Sequence, residues 1–551
     1  ADGTLDLDGD TTLTLKGVTL TGGEAVTVND ALTLATGAST VASTGGDVSF
    51  AATIDGAQAF SVAALAGTVD FGGAVGGSTR LASLEIDAGA LTLDQDLFTG
   101  GGSAATIDLR GVDAVTLGSS VTLDTENGDS TDAGSILFGP ATTVDGPYAL
   151  TLDTGAAGQT AGNVQLGPVG QGSALGSLEV RTGGSTAGTL SLYGDLTVNG
   201  AVDLSGASTT TIQSDLTLDT TGAADGTAVS LAALGGNRAL TVAGGDADLT
   251  LGGTVTGLTG LTVSSADTVT VSGTLDLPGP VALTSSEGTD LDAAVGGTTA
   301  PATLAVNGAL NAGADLTAVG DVTLSGAVTL SGSARSFAST SGDLTVAGAL
   351  DGAQDLTLTA SNGTIALPAV GESSAVGALD LNANTATLAG SVDAASLNTL
   401  GVALTTLAAG SVEVEVSAAG FAANLGALDG AADLTVRATN DSGELRFRAA
   451  DLGSLTVDDA DDVTFFGDFV ASGAVAVDTN IGGRVAVGSA GSVAAGGAVS
   501  VDGANLIVDG PVSGSSVTLG TTGGNALEVA ADVTGTNGVT FADPVTLDGS
   551  A

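Results

Sequence analysis

Residues 47–56 read DVSFAATIDG, and residues 68–77 read TVDFGGAVGG. Laid over one another at an offset of 21, they share one frame: apolar-x-apolar, three small residues, then an apolar residue. The apolar-x-apolar triplet is a short strand with two side chains on one face and a polar residue on the other. The small residues between triplets suit a tight turn. The same frame recurs at Leu249, Leu251 and Val255, at Leu344, Val346 and Leu350, at Val463, Phe465 and Phe469, and at Val539, Phe541 and Val545. A strand-only unit that repeats about every 20 residues is the signature of a solenoid, in which each coil stacks on the next at roughly 4.8 Å.

Working outward, the alternation starts with Leu5 and Leu7 and continues through Leu13 and Leu15, Val26 and Val28, and Leu32 and Leu34. No 3.6-residue apolar period is sustained, so the chain reads as all-β. A longer frame, V-G-x-x-S/T-x4-L, overlies the first: VGGSTRLASL at 75–84, VGQGSALGSL at 169–178, VGGTTAPATL at 295–304 and VGESSAVGAL at 370–379. Its glycine is expected to turn a corner where a β-carbon would clash. The fold expected is one long β-solenoid over residues 1–551, with coils of about 20 residues and no separable domain boundary. About 26 such coils would span about 125 Å. Antiparallel sandwich arrays also have short strands, but a 21-residue repeat has no reason to exist inside them. A transmembrane barrel needs girdles of aromatic residues, which two tyrosines cannot supply.

Composition narrows the function. The 551 residues include 61 acids and 10 bases, a formal net charge of −51. Of the acids, 51 are Asp and 10 are Glu. Such a chain has no basic surface for nucleic acid or an anionic membrane. It has no Cys and no His, which removes thiol catalysis, Ser-His-Asp chemistry and the usual zinc sites. With 43% hydrophobic residues it is too apolar to be disordered. Gly numbers 88 and aromatics are only 3%, so the core is a narrow column of Val, Leu, Ile and Ala. The chain begins at Ala1 and contains no Met, and it carries no leader-like segment, so it is expected to be a processed product or an excerpt of something longer. Zero Cys fits a long extracellular protein.

The run GTVDFGGAVGGSTRLASLEIDAGALTL (67–93), with the frames that echo it along the chain, resembles the repeat segments of filamentous-haemagglutinin-type surface adhesins. That resemblance implies a right-handed parallel β-helix and an extracellular, cell-surface rod. The secretion domain of the full family pattern is not present in this sequence. The function expected is therefore the structural shaft of an extracellular filament or adhesin. Its partners would be copies of itself or further repeats, with cell surfaces or glycans beyond. The alternative is a glycan-binding or polysaccharide-degrading β-helix.

Four places in the sequence could carry chemistry or contacts. Paired carboxylates such as Asp6 with Asp8 could degrade polysaccharides, but 51 Asp make chance pairs common, and Tyr148 and Tyr193 stand alone as sugar platforms. No active site is expected. Asp458, Asp459, Asp461 and Asp462 in the run DDADD could collect Ca2+; otherwise the run is an exposed turn between two strands. Arg446 and Arg448 flank Phe447 in ELRFR, a local basic spot expected to lie on an exposed strand face beside Asp. Phe465, Phe466 and Phe469 form the densest aromatic group: a wider core, with a lateral contact patch if Phe466 faces outward. The Asp surplus leads to a further expectation. Charges stacked at this spacing repel at low salt, and strong salt relieves them, so the rod is suited to saline or divalent-rich surroundings.

Overall fold

The computed structural model describes residues 3–9, 12–100, 102–126, 132–408, 410–440, 443–523, 525 and 527–548. Among these there is no helix, and 59% of the chain is strand. The chain divides into two compact units, Ala1–Thr289 and Asp290–Ala551.

The first unit is a stack of parallel coils. Leu5 lies beside Val26, Val26 beside Val48 and Val48 beside Val69, so one column climbs the chain in steps of 21 or 22 residues. Val69 and Phe71 then pair with Leu91 and Leu93 of Ser83–Leu93, and Leu91 with Val115. The two segments that share the repeat frame are thus direct neighbours: Val48 lies beside Val69 and Phe50 beside Phe71. From Val26–Val28 onward a triplet typically buries its two apolar residues and leaves its middle residue half-exposed, as in Val48–Phe50. Burying one such Val or Leu contributes about 1.5–3 kcal/mol. Three phenylalanines widen the column here. Phe50 stacks on Phe71 at 5.4 Å between ring centroids, and Phe60 meets Phe50 edge-on at 5.8 Å. Higher in the unit, the inward hydroxyls of Thr125 and Thr154 each donate at 2.7 Å to a loop carbonyl, those of Gly134 and Gly162. These two core-facing hydroxyls are thereby satisfied.

The second unit repeats the principle with a different corner. Leu304 pairs with Val322, Val322 with Leu344 and Leu344 with Ile365. From Leu356–Leu367 onward several strands run 10 to 16 residues, among them Val376–Leu388, Val392–Leu407 and Val475–Val487. These strands turn a corner without leaving the sheet. Register shifts mark the bends, for instance between Ala360 and Thr364 and between Asp380 and Asn382. Sequence reading expects a glycine corner at the V-G frame alone; in these strands bulges make the bend.

The V-G frame does what its glycine predicts. Gly76, Gly170, Gly296 and Gly371 all take positive φ, between 71° and 77°. A Cβ there would lie 2.1 or 2.2 Å from a carbonyl oxygen further along the chain, that of Phe98, Thr197, Thr317 and Asp393 respectively. The preceding valines make single parallel bridges, Val75 to Ile54 and Leu97, and Val370 to Leu350 and Val392. The closing leucines Leu84, Leu178, Leu304 and Leu379 are buried.

Candidate functional site

The acids have a structural use that the sequence reading did not find. Asp47, Asp195, Asp315, Asp343 and Asp462 each accept the backbone N–H of a residue 21 or 22 positions later, on the next coil. In three V-G loops one carboxylate takes two successive N–H groups. Asp55 holds Ser78 and Thr79, Asp145 holds Gly172 and Ser173, and Asp351 holds Ser373 and Ser374, all at 2.7–3.1 Å. Others, such as Asp203 and Asp219, fold onto the N–H two residues on. The Asp side chain is one methylene long, so its carboxylate reaches a neighbouring backbone N–H that Glu would overshoot. A charged acceptor also bonds more strongly than a neutral one. The 51-to-10 preference for Asp was the available signal.

The DDADD run is not a turn between two strands. It is a bend inside the single strand Ser454–Phe465, with register shifts on both sides of Ala460. Ala460 is fully buried, and Asp459 takes a φ of +60°. Across the bend, Asp458 and Asp462 go to different partners. Asp458 faces Arg437 at 3.6 Å. Asp462 lies 4.0 Å from the Arg484 side chain and accepts its backbone N–H at 2.9 Å. Among the described residues no group of three or more carboxylates is placed to hold a metal ion. The acids stack instead: Val457 pairs with Val477 and Asp478 with Asp502, so Asp458, Asp478 and Asp502 follow one another up the same corner. Burial, then the neighbouring Asp502, Asp458 and Asp459, push the Asp478 carboxyl above its usual range. The opposite case is Asp108, which Arg110 holds below that range through two short hydrogen bonds. Asp6 and Asp8 line one shallow groove together with Asp30, and Asp6 accepts the Asn29 side-chain amide at 2.7 Å.

At the other end of the same strand segment the surface changes character. Phe465 and Phe469 are buried and pack with Phe447, ring centroids 5.3–5.8 Å apart. Phe466 points outward and is 48% exposed. The Arg446 guanidinium lies over its ring, 5.5 Å from the centroid, while an oxygen of Glu444 sits 3.4 Å away. Arg448 is exposed beside them and has no ion-pair partner among the described residues. With Leu400, Asn424 and Leu425 these side chains line a shallow groove of about 270 Å³. Sequence reading expects a nearby Asp beside these arginines; Arg446 takes Glu444 instead, and Arg448 takes no acid among the described residues. Of the phenylalanines, Phe465 and Phe469 widen the core as expected, and Phe466 faces outward. Tyr148, in the first unit, is 39% exposed.

Strands, corners and inter-coil carboxylates together define a parallel β-solenoid, a β-helix repeat protein in architecture. No protein-family model, curated protein or solved structure matches the chain.

Proposed function

We propose that the chain is the structural shaft of an extracellular filament or surface adhesin of the filamentous-haemagglutinin type, with no catalytic role. The observation that carries the reading is that the chemistry-bearing residues are spent on the coils themselves. Aspartates close inter-coil N–H groups, most arginines pair with acids on their own or nearby coils, and threonines fix loops. Parallel ladders satisfy the backbone between coils, which suits a stiff spacer. The −51 charge keeps such shafts from aggregating, and Ca2+ or high salt outside the cell would screen it. Immunogold labelling of intact source cells tests the reading, combined with electron microscopy of the shed material. Label on fibres at the cell surface is expected. Label confined to the cytoplasm, or release of sugars from a polysaccharide panel by the purified chain, would overturn it.

A further inference from the structure

The groove at Arg448 continues along the second unit. Ser361, Asn384, Gly401 and Gly426 help to line a second shallow groove of about 480 Å³, which shares Leu400 and Arg448 with the first. The two make one trough that runs along the stack. Its residues lie on Leu356–Leu367, Val376–Leu388, Val392–Leu407, Gly420–Asp429 and Gly443–Leu452, each strand paired with the next. It ends at Phe466, just past the strand that pairs with Leu445–Phe447. Five coil steps of roughly 4.8 Å make it about 24 Å long. Gly401, Ala403, Gly426 and Ala427 have no long side chain to fill it.

In a chain with 61 acids and 10 bases, two arginines and no carboxylate line this trough among the described residues. The acids nearby in sequence are placed elsewhere. Glu444 lies at Arg446, Asp380 takes the Asn398 amide, and Asp468 takes the Ser492 hydroxyl. Asp429 and Asp451 are register partners beyond Ala427 and Ala449. Arg448 keeps its fork of donors open, and Asn384 and Asn424 bring side-chain amides, each a donor and an acceptor. Phe466 and Leu400 add apolar surface, 48% and 37% exposed. A nucleic acid would need a base for each of many phosphates. A peptide strand would need an open sheet edge, whereas Val376–Leu388, Val392–Leu407, Gly420–Asp429 and Gly443–Leu452 are each paired on both sides. A sugar chain needs neither.

We propose that this trough binds an extended acidic polysaccharide, with a uronate carboxylate on Arg448, the neighbouring sugar ring against Phe466, and the hydroxyls of the following sugars on Asn424 and Asn384. A guanidinium takes a carboxylate through two parallel hydrogen bonds, and one such pair needs only one free arginine. An extended pyranose chain advances by close to one coil spacing per sugar, so successive sugars meet successive coils. The Phe466 ring offers an apolar face to sugar C–H groups, and the Arg446 guanidinium over it holds it in place. In physiological salt a charge is felt over only about 8 Å, so the distant acids of a −51 chain do not cancel the attraction at Arg448. The site deepens the adhesin side of the proposed function without resting on it: cell labelling and binding in solution fail independently.

The test is isothermal titration calorimetry of the full chain with hexagalacturonate, hexamannuronate and, as the uncharged comparison, cellohexaose. At least one uronate hexamer is expected to bind with a Kd of about 0.1 mM, and cellohexaose at least about tenfold more weakly. Arg448→Gln and Phe466→Ala should each weaken the uronate by at least about tenfold. Arg484→Gln, which changes an arginine outside the trough, should stay within about twofold of wild type. The matching uronate trimer spans about half of the trough and should bind more weakly than the hexamer. Melting temperatures of the variants, expected to match wild type, separate a lost contact from a lost fold. Neither uronate binding at up to about 5 mM would overturn the proposal. So would uronate binding indifferent to Arg448→Gln, or cellohexaose binding as tightly as the uronates.

Discussion

Gly76 and Gly77 are adjacent in one loop, yet an added methyl group meets two different situations. At Gly76, φ is +76°, and a Cβ would lie 2.1 Å from the Phe98 carbonyl oxygen and 3.1 Å from its carbon. At Gly77 the nearest atom is the Ala74 Cβ at 3.3 Å. Holding alanine in the left-handed region costs about 1–2 kcal/mol. Relieving an overlap with backbone, where no side chain can swing away, adds about 1–3 kcal/mol. Gly76→Ala should therefore cost about 2–5 kcal/mol, and Gly77→Ala less than about 0.5 kcal/mol. In a stack of coils the loss is local, so amide hydrogen exchange is the assay. The reporters are the Gly76 amide, which donates to Ile54 at 2.6 Å, and the Phe98 amide, which donates to Val75 at 2.8 Å. Both should exchange at least about thirtyfold faster in Gly76→Ala and within about twofold of wild type in Gly77→Ala. Equal effects of the two substitutions would refute the reasoning, because they would mean that no chain segment passes close over Gly76.

Four further outcomes follow from the same structure. Phe447→Ala empties the centre of the three-ring cluster and should cost about 3–5 kcal/mol, read as faster exchange of the Phe466 amide that donates to Phe447. Asp351→Ala removes the acceptor of two N–H groups, so the Ser373 and Ser374 amides should lose protection while those of distant coils do not. Asp478 has its carboxyl raised in the folded state, so its contribution is stabilising at low pH and is lost as pH rises through that raised value; Asp478→Asn should raise the melting temperature at pH 7, and the gain should vanish in acid. Melting temperature should climb with NaCl, and more steeply with CaCl2 at equal concentration, because −51 charges repel at low ionic strength; a melting point indifferent to both would contradict this.

The alternation that starts at Leu5 and Leu7 was readable because a coil has one inside, and a two-residue period leaves no other way to bury these side chains. The 21-residue offset between residues 47–56 and 68–77 was readable because stacking places like on like, and those segments are neighbours. The V-G corner was readable because a left-handed turn beneath a close carbonyl admits only glycine. What escaped reading were features that depend on the next coil. Asp47 and Asp343 look like solvated turn residues until the N–H groups of Thr68 and Thr364 arrive beside them. DDADD looks like a turn because four acids favour one, but the inward Ala460 keeps it inside a strand. Arg448 looks paired because acids are everywhere, yet it shares its groove with Leu400, Asn424 and Phe466.

The most direct test of the central claim, parallel stacking at this register, uses the absence of native cysteine. Thr250 and Thr270 are register partners in the first unit, and Thr435 and Thr456 in the second. Parallel neighbours sit about 4.8 Å apart, within the 4.4–6.8 Å between α-carbons that a disulfide spans. With each pair changed to cysteine, mild oxidation should close an intramolecular disulfide in both variants, identified by peptide mass mapping, with the fold retained. Free thiols persisting in the folded chain, in either unit, would contradict the stack of parallel coils.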